Sequence, residues 1–220
     1  SMTKRAVKTN VHLGSPYSSR GKDQQGDPVR FVGSVGCRAM HGTEHGFVTA
    51  AHCLPKMGLS VCIGETDTNL GKVTSVKLNA SSDAAFGAVD YDKYYPTNTT
   101  YRTKTALYDK ILKNSSLVGY EVSTEGQKTA NVVKAKVTEI NKKVHVQKWT
   151  PAGQADFYAN NMVYATFTSS QTQEGDSGGI VYVNGYVAGI HSARLGNTTQ
   201  IFSSAELVLK DLGLTNIWEK

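Results

Sequence analysis

Apolar residues in this chain come in short runs, and glycine or polar turns separate one run from the next. Residues 31–37, 46–50, 60–63, 72–78, 84–91, 118–122, 132–140, 162–167, 179–182, 186–191 and 199–202 each have the length of a strand, and many are rich in valine. A chain of many short strands must close its sheets against one another, so the pattern predicts an all-β sandwich or barrel. Residues 95–114 break the pattern: they are rich in threonine and lysine and read as a connection between two halves. Residues 204–213 read as one helix, with Ser203 or Ser204 as N-cap, Glu206 in the first turn and Gly213 as its stop.

The 220 residues suffice for one large all-β domain or two small ones. No apolar run approaches the roughly 18 residues that span a bilayer, so no membrane partner is expected. The start lacks the apolar stretch of a secretion signal, and Ser1-Met2 reads as a cloning remnant with a leader or propeptide left out. The net charge is +6, but the lysines are spread from Lys4 to Lys220 without a basic helix. That describes a solvated positive surface and no nucleic-acid partner, although such a surface raises the local concentration of acidic substrates. Of the three cysteines, Cys37 and Cys53 can pair and leave Cys62 over, or all three can be buried thiols.

Two local patterns carry chemistry. In Glu174-Gly175-Asp176-Ser177-Gly178-Gly179, a serine between glycines leads into the apolar Ile180-Val181-Tyr182. Glycines there leave room for a substrate and let backbone N–H groups point at a developing oxyanion. The same residues also make an ordinary hairpin turn. In Gly46-Phe47-Val48-Thr49-Ala50-Ala51-His52-Cys53, a short apolar run ends in a histidine, the side chain best suited to take a serine proton near neutral pH. His12, His41, His45, His145 and His191 are the other histidines, and a lone histidine at a strand end is more often structural.

Together, Thr49-Ala50-Ala51-His52-Cys53 and Gly175-Asp176-Ser177-Gly178-Gly179 closely resemble the two signatures of the chymotrypsin-like serine proteases. The stretches around Ser34-Val35-Gly36-Cys37 and Gly46-Phe47-Val48-Thr49 resemble the secreted bacterial branch, such as the streptogrisins, α-lytic protease and the glutamyl endopeptidases. The resemblance implies an all-β fold of two antiparallel six-stranded Greek-key β-barrels with a C-terminal helix. It implies a first barrel over residues 1–95, a connection over 96–115 and a second barrel with the helix over 116–220. It implies a serine endopeptidase with Ser177 as nucleophile, His52 as general base and an oxyanion hole formed by the N–H groups of Gly175 and Ser177. The third member should be an aspartate in a polar loop before an apolar strand, and Asp83 fits. Asp90 and Asp92 lie at the far end of that strand, roughly 23 Å away in an extended chain. The resemblance further implies a Cys37–Cys53 disulfide with Cys62 free, no metal and no cofactor, a protein or peptide substrate, and a secreted, monomeric bacterial enzyme.

Departures from the family pattern carry their own expectations. No Ile-Val-Gly-Gly-like start is present to pair with Asp176, and the bacterial arginine that takes this role has no counterpart, so Lys128 or Arg30 is expected to substitute. The position that holds aspartate in trypsin-type enzymes is Gln171, which argues against cleavage after lysine or arginine. Thr172 and His191, with Ser192 beside it, resemble the specificity pair of glutamyl endopeptidases and of viral processing proteases of the same fold. Glutamate is expected first and glutamine second, with a drift toward glutamine as pH rises past about 6.5. Arg194 favours an acidic side chain and Glu174 opposes one. The rival functions are a viral polyprotein-processing protease and a catalytically silent homologue acting as a binding module.

Overall fold

The computed structural model describes residues 7–218, so the stretch read as a cloning remnant lies outside the described residues. The first half holds β1 (Thr9–Leu13), β2 (Pro16–Lys22), β3 (Pro28–Ser34), β4 (Arg38–His41), β5 (Glu44–Thr49), β6 (Ser60–Ile63), β7 (Asn69–Val76), β8 (Ala85–Val89) and β9 (Tyr94–Thr100). The second holds β10 (Glu121–Glu125), β11 (Val133–Thr150), β12 (Gly153–Phe167), β13 (Ile180–Val183), β14 (Tyr186–Leu195), β15 (Thr199–Ser204) and the helix α1 (Ala205–Leu212).

Seven strands of the first half pair antiparallel in the order β3-β2-β6-β7-β8-β5-β4. The two end strands, β3 and β4, are consecutive in the chain. Between them residues 35–37 stay on β5: the Gly36 N–H donates to Val48 O at 2.7 Å, and the Val48 N–H donates to Cys37 O at 2.8 Å. β3 and β4 are thus one bent strand, and the sheet curls back on itself as a small barrel does. In the second half β10-β11-β12-β15-β14-β13 form a closed barrel.

Alternation of apolar residues fills both interiors. Tyr17, Phe47, Leu54, Leu70 and Val73 pack in the first barrel, and Leu117, Val122, Val137, Val163 and Phe202 in the second. A third cluster, with Leu13, Val48, Phe86, Ile180, Ile190 and Val208, belongs to both halves and joins them. Each large apolar side chain fully buried there contributes about 1.5–3 kcal/mol. The helix follows β15 directly and ends on Gly213, whose φ of +67° lets its N–H cap Leu209 O. Its N-cap is Ser204, but the Ser204 hydroxyl makes no capping bond.

The structure adds strands that the apolar pattern did not announce. β1 and β9 form a parallel pair, Thr9 opposite Tyr94 and Val11 opposite Pro96, so residues 96–115 open on a strand and are not a bare connection. β2 is polar, yet Ser18 and Ser19 on it are buried, and the Ser19 hydroxyl donates to Ser60 O at 2.8 Å. The largest difference is the β11–β12 hairpin. After register shifts between Val137 and Val144, its outer part runs on as an arm that reaches the first barrel. Val146, Ala155 and Phe157 of the arm join the first barrel's core. The Tyr158 N–H donates to Asn79 Oδ1 at 2.9 Å, the Asn160 N–H to Ala80 O at 2.8 Å and the Asn161 N–H to Ser81 O at 2.9 Å. At the tip, the Trp149 indole donates to Lys22 O at 2.7 Å.

The expected Cys37–Cys53 disulfide is absent: Cys37, Cys53 and Cys62 are all free. The two side chains face different interiors. Cys37 is buried in the cluster that joins the barrels, and Cys53 packs against the first barrel's own core. The space above Gly33, on the same cavity wall as Cys53, is taken by Tyr17, whose hydroxyl would lie 2.6 Å from a Cβ there. Burial pushes the Cys37 thiol up to about 12. Thiol titration under denaturing, non-reducing conditions should count three thiols per chain. A count of one would show that oxidation reorganises this wall.

Candidate active site

β5 delivers His52. After Thr49 the chain turns tightly, with the Cys53 N–H on Ala50 O at 3.1 Å, and the imidazole faces residues 79–83. His52 Nδ1 lies 2.6 Å from Asp83 Oδ2, and the His52 backbone N–H donates to Asp83 Oδ1 at 3.0 Å. Asp83 is fully buried, so its charge has to be matched. The Ser192 hydroxyl donates to Oδ2 at 2.7 Å, and the Asp83 N–H donates to the Ser203 hydroxyl at 3.0 Å. Burial works against the His52 imidazolium, but the Asp83 carboxylate and the neighbouring Cys53 outweigh it and hold the pKa well above the ordinary histidine value. Burial likewise opposes the Asp83 carboxylate, and the charge and hydrogen bonds of His52, with that of Ser192, hold its pKa below the usual range. Because Asp83 can only accept, the neutral His52 carries its proton on Nδ1 and leaves Nε2 as an acceptor. Asp90 and Asp92 sit in a surface turn after β8, where the Asp92 N–H donates to Asp90 Oδ1 at 3.3 Å, and neither bonds His52.

Ser177 lies on the turn before β13 and lines, with His52, two adjoining cavities. In this structure its Oγ donates to Ser192 O at 3.0 Å rather than to His52. The turn is locked to the first barrel. Gly178 has φ +90°, and a Cβ there would come within 2.0 Å of Thr49 Oγ1 and 2.4 Å of Ser34 O. Only glycine fits, so the serine-bearing and histidine-bearing patterns interlock at this contact. Ser34 fastens the same turn: its N–H donates to Ser177 O at 2.9 Å and its hydroxyl to Gly175 O at 2.9 Å. The Asp176, Gly178 and Gly179 N–H groups are used within the fold, on Gln173 O, His191 O and Asp176 O. Those of Gly175 and Ser177 donate to no backbone acceptor among the described residues.

Asp176 needs neither of the cations expected for it. Arg30 pairs with Asp67 at 2.8 Å instead. The buried Asp176 carboxylate accepts the backbone N–H groups of Lys128 and Thr129 at 2.9 Å each and of Gln173 at 2.8 Å, and the Thr129 hydroxyl closes on Oδ2. Lys128 thus contributes its amide and not its ammonium. Arg102 holds the carbonyls of Gly126 and Gln127. The amide after the first donates to Ser34 Oγ at 2.9 Å, and the amide after the second, that of Lys128, is turned toward Asp176.

Thr172 and His191 meet on the wall of a cavity of about 440 Å³ that runs from Ser177 toward Arg194 and the arm residues Val144 and Val146. Both are 2% exposed. Neither the Thr172 hydroxyl nor His191 Nε2 has a hydrogen-bond partner within the described residues, and neither is sealed from the cavity. His191 Nδ1 lies 3.1 Å from Gln200 Nε2, which also donates to Thr124 Oγ1 at 2.8 Å. Burial lowers the His191 pKa to about 4. Ser192 lines the cavity too, but its hydroxyl serves Asp83. Arg194 is bound to Gln171 and Asn197. Gln200 and Thr124 have no sequence signal, because both sit in ordinary strand alternation. A second cavity, of about 620 Å³, flanks Ser177 on the side of Cys53 and Gly33. The exposed Lys148–Glu174 pair, 3.2 Å apart, lines both cavities. No cluster of three or more metal-ligating side chains occurs among the described residues, and no helix among them is long and apolar enough to cross a membrane.

The family model for trypsin matches residues 19–204. No curated protein sequence gives a match. Among solved structures, Thermobifida fusca protease A is similar with a TM-score of 0.69 at 18% identity, over 94% of this chain and 98% of that one. Nocardiopsis protease gives 0.68 at 22% identity over 94% and 98%. A glutamic acid-specific serine protease that uses a histidine triad in substrate binding gives 0.67 at 22% identity over 93% and 99%. At such identities these likenesses bear on the fold, and it is the double barrel described above. The family match covers both the turn that carries His52 and the turn that carries Ser177, and the chain belongs to the trypsin family of serine endopeptidases.

Proposed function

We propose that the chain cleaves peptide bonds through Ser177, His52 and Asp83. The observation that carries this reading is the buried His52–Asp83 pair, 2.6 Å apart, opening on the cavities that Ser177 also lines. Ser177 Oγ turns from Ser192 O to His52 Nε2, gives up its proton there and attacks the scissile carbonyl. The carbonyl oxygen becomes an oxyanion held by the free N–H groups of Gly175 and Ser177. His52 then protonates the leaving amine, and water releases the acyl group from Ser177 by the same steps in reverse order. Asp83 fixes the imidazole tautomer and stabilises the imidazolium. The same reading takes the chain as a secreted, monomeric enzyme acting on protein or peptide substrates, with no cofactor.

Thr172 and His191, with Ser192 shaping the wall between them and Ser177, are the groups that would hold the residue on the acyl side of the scissile bond. Two buried polar side chains without partners on the pocket wall favour a side chain that can answer them, glutamate or glutamine. An apolar occupant leaves both unsatisfied, and discrimination by such a site reaches roughly 10⁴. A glutamic acid-specific protease among the similar structures supports the same pocket chemistry.

Three measurements test this reading. Ser177→Ala should lower peptide hydrolysis by about a millionfold without changing the melting temperature much, and wild type should be labelled by a fluorophosphonate. Activity within tenfold of wild type would remove Ser177 from the nucleophile role, and an unlabelled wild type would favour a silent homologue. The acid limb of kcat/KM reports the free enzyme's base. His52 must be neutral to act, and its pKa is raised, so activity should rise with pH through a midpoint above the ordinary 6.5. A midpoint at or below that value would exclude a base paired with Asp83. Finally, His191→Ala should lose glutamate and glutamine cleavage yet keep fluorophosphonate labelling. An unchanged peptide-library profile would leave His191 a core residue.

A further inference from the structure

His191 has one nitrogen toward the pocket and one toward the barrel interior, and the interior side decides what the pocket side can be. There, Gln200 Nε2 stands between His191 Nδ1 at 3.1 Å and Thr124 Oγ1 at 2.8 Å, while Gln200 Oε1 has no partner. Turning the amide over would put the carbonyl between those two atoms and leave both amide hydrogens where Oε1 now finds nothing. Two orphaned donors cost more than one orphaned acceptor, since buried N–H groups without partners are the rarer case. The amide nitrogen therefore donates to Nδ1, and Nδ1 must carry a lone pair. The proton sits on Nε2, aimed into the pocket.

From this juxtaposition we infer that Gln200 is a specificity-setting positioning residue: it holds His191 as the neutral Nε2–H tautomer, so that the pocket selects glutamine over glutamate. This rests on the reading of Thr172 and His191 as the acyl-side pocket. The glutamine carbonyl accepts from Nε2–H and its amide can donate to the Thr172 hydroxyl, so both of these groups are answered. A glutamate carboxylate would find two donors but no counter-charge.

A protonated His191 would supply that charge, but its Nδ1–H would then point at the Gln200 N–H. The other charged groups around it do not take over. Asp176, His52 and Asp83 act on His191 from the serine turn and the first barrel, and their effects oppose one another. At the mouth, Arg194 is tied to Gln171 and Asn197, Lys148 to Glu174 and His145 to Asp156. Glu174 is itself a charge that repels a carboxylate. Burial agrees with this picture and keeps His191 neutral down to about pH 4. The crossover between glutamate and glutamine is therefore expected on the acid side of the ordinary 6.5.

Two peptides that differ only in glutamine or glutamate on the acyl side decide the matter. Wild type should give a kcat/KM ratio of at least about tenfold for glutamine near pH 8, a difference of about 1.4 kcal/mol, and the ratio should hold as pH falls to about 5. Gln200→Glu puts an acceptor on Nδ1 in the same volume, favours the imidazolium and should invert the ratio toward glutamate. Fluorophosphonate labelling should stay within a few fold, because Gln200 touches none of the reacting atoms. Nitrogen-15 NMR of the wild-type imidazole should show Nδ1 unprotonated across the same pH range, whether or not the variant folds. Equal or better cleavage after glutamate in wild type, a protonated Nδ1, or an unchanged ratio in a folded Gln200→Glu variant would overturn the role of Gln200. Cleavage after neither residue would instead overturn the pocket reading on which it rests.

Discussion

Residues 79–83 are bound, one after another, to the other half of the molecule. Asn79 and Ala80 take amides of the arm at Tyr158 and Asn160, and Ser81 takes that of Asn161. The Ser82 N–H and hydroxyl donate to Asp211 on the helix, and the Asp83 N–H donates to Ser203 on β15. The carboxylate at the end of this run is wholly buried, and a buried charge without partners costs several kcal/mol. Its partners, the His52 turn and Ser192 on β14, come from different barrels. The halves can satisfy Asp83 in only one arrangement. That arrangement brings the histidine of one barrel and the serine of the other to a shared cleft, so the docking of the barrels and the making of the site are one event.

A second buried carboxylate solves the same problem differently. Asp176 is neutralised by dipoles alone, three amides and a hydroxyl drawn from residues 128, 129 and 173. Carboxylates accepting several backbone N–H bonds need no counter-ion, because the bonds favour the charged form directly. The Lys128 amide is aimed by what lies behind it. Arg102 draws the carbonyl of Gln127 the other way, and the buried Glu125 nearby is answered by the amides of Arg102 and Thr103 and the hydroxyls of Thr103 and Tyr182. The shape of the serine turn is thereby set by the connection between the barrels, which explains why no arginine or free amine is required next to Asp176.

Much of this was legible in the sequence, and the reasons for the rest are physical. The turns around His52 and Ser177 read clearly because their glycine and small residues are forced by contact, as Gly178 is by Thr49. The short strands of the barrels read from apolar alternation. β1, β2, β4 and β9 did not, because polar side chains on them are satisfied by tertiary bonds that local sequence does not contain, as Ser19 is by Ser60 and Arg38 by Asp109. The apolar pattern that predicts a strand over 132–140 stops short of the arm. Its asparagines and lysines look like loop, and its apolar face is matched to the other barrel rather than to its own. The disulfide expectation fails for a related reason: the family resemblance implies a Cys37–Cys53 pair, while the bend between β3 and β4 turns Cys37 into the cluster between the barrels.

The interior of the second barrel keeps a polar file, Thr124, Gln200 and His191, where an all-apolar filling would be simpler. The file is not fully satisfied, because Gln200 Oε1 lacks a partner, and one such buried group costs about 1–3 kcal/mol. A strand residue of Val or Leu at 200 would avoid that loss and leave the fold's hydrogen-bond ladder intact. It would also leave the His191 ring without a fixed proton. The first barrel shows the alternative: its buried hydroxyls at Tyr17 and Thr49 bond each other, and Thr49 also donates to Ser34 O. An unsatisfied atom thus sits behind a buried histidine on the cleft wall, which is where a loss of stability is expected to coincide with function rather than with folding.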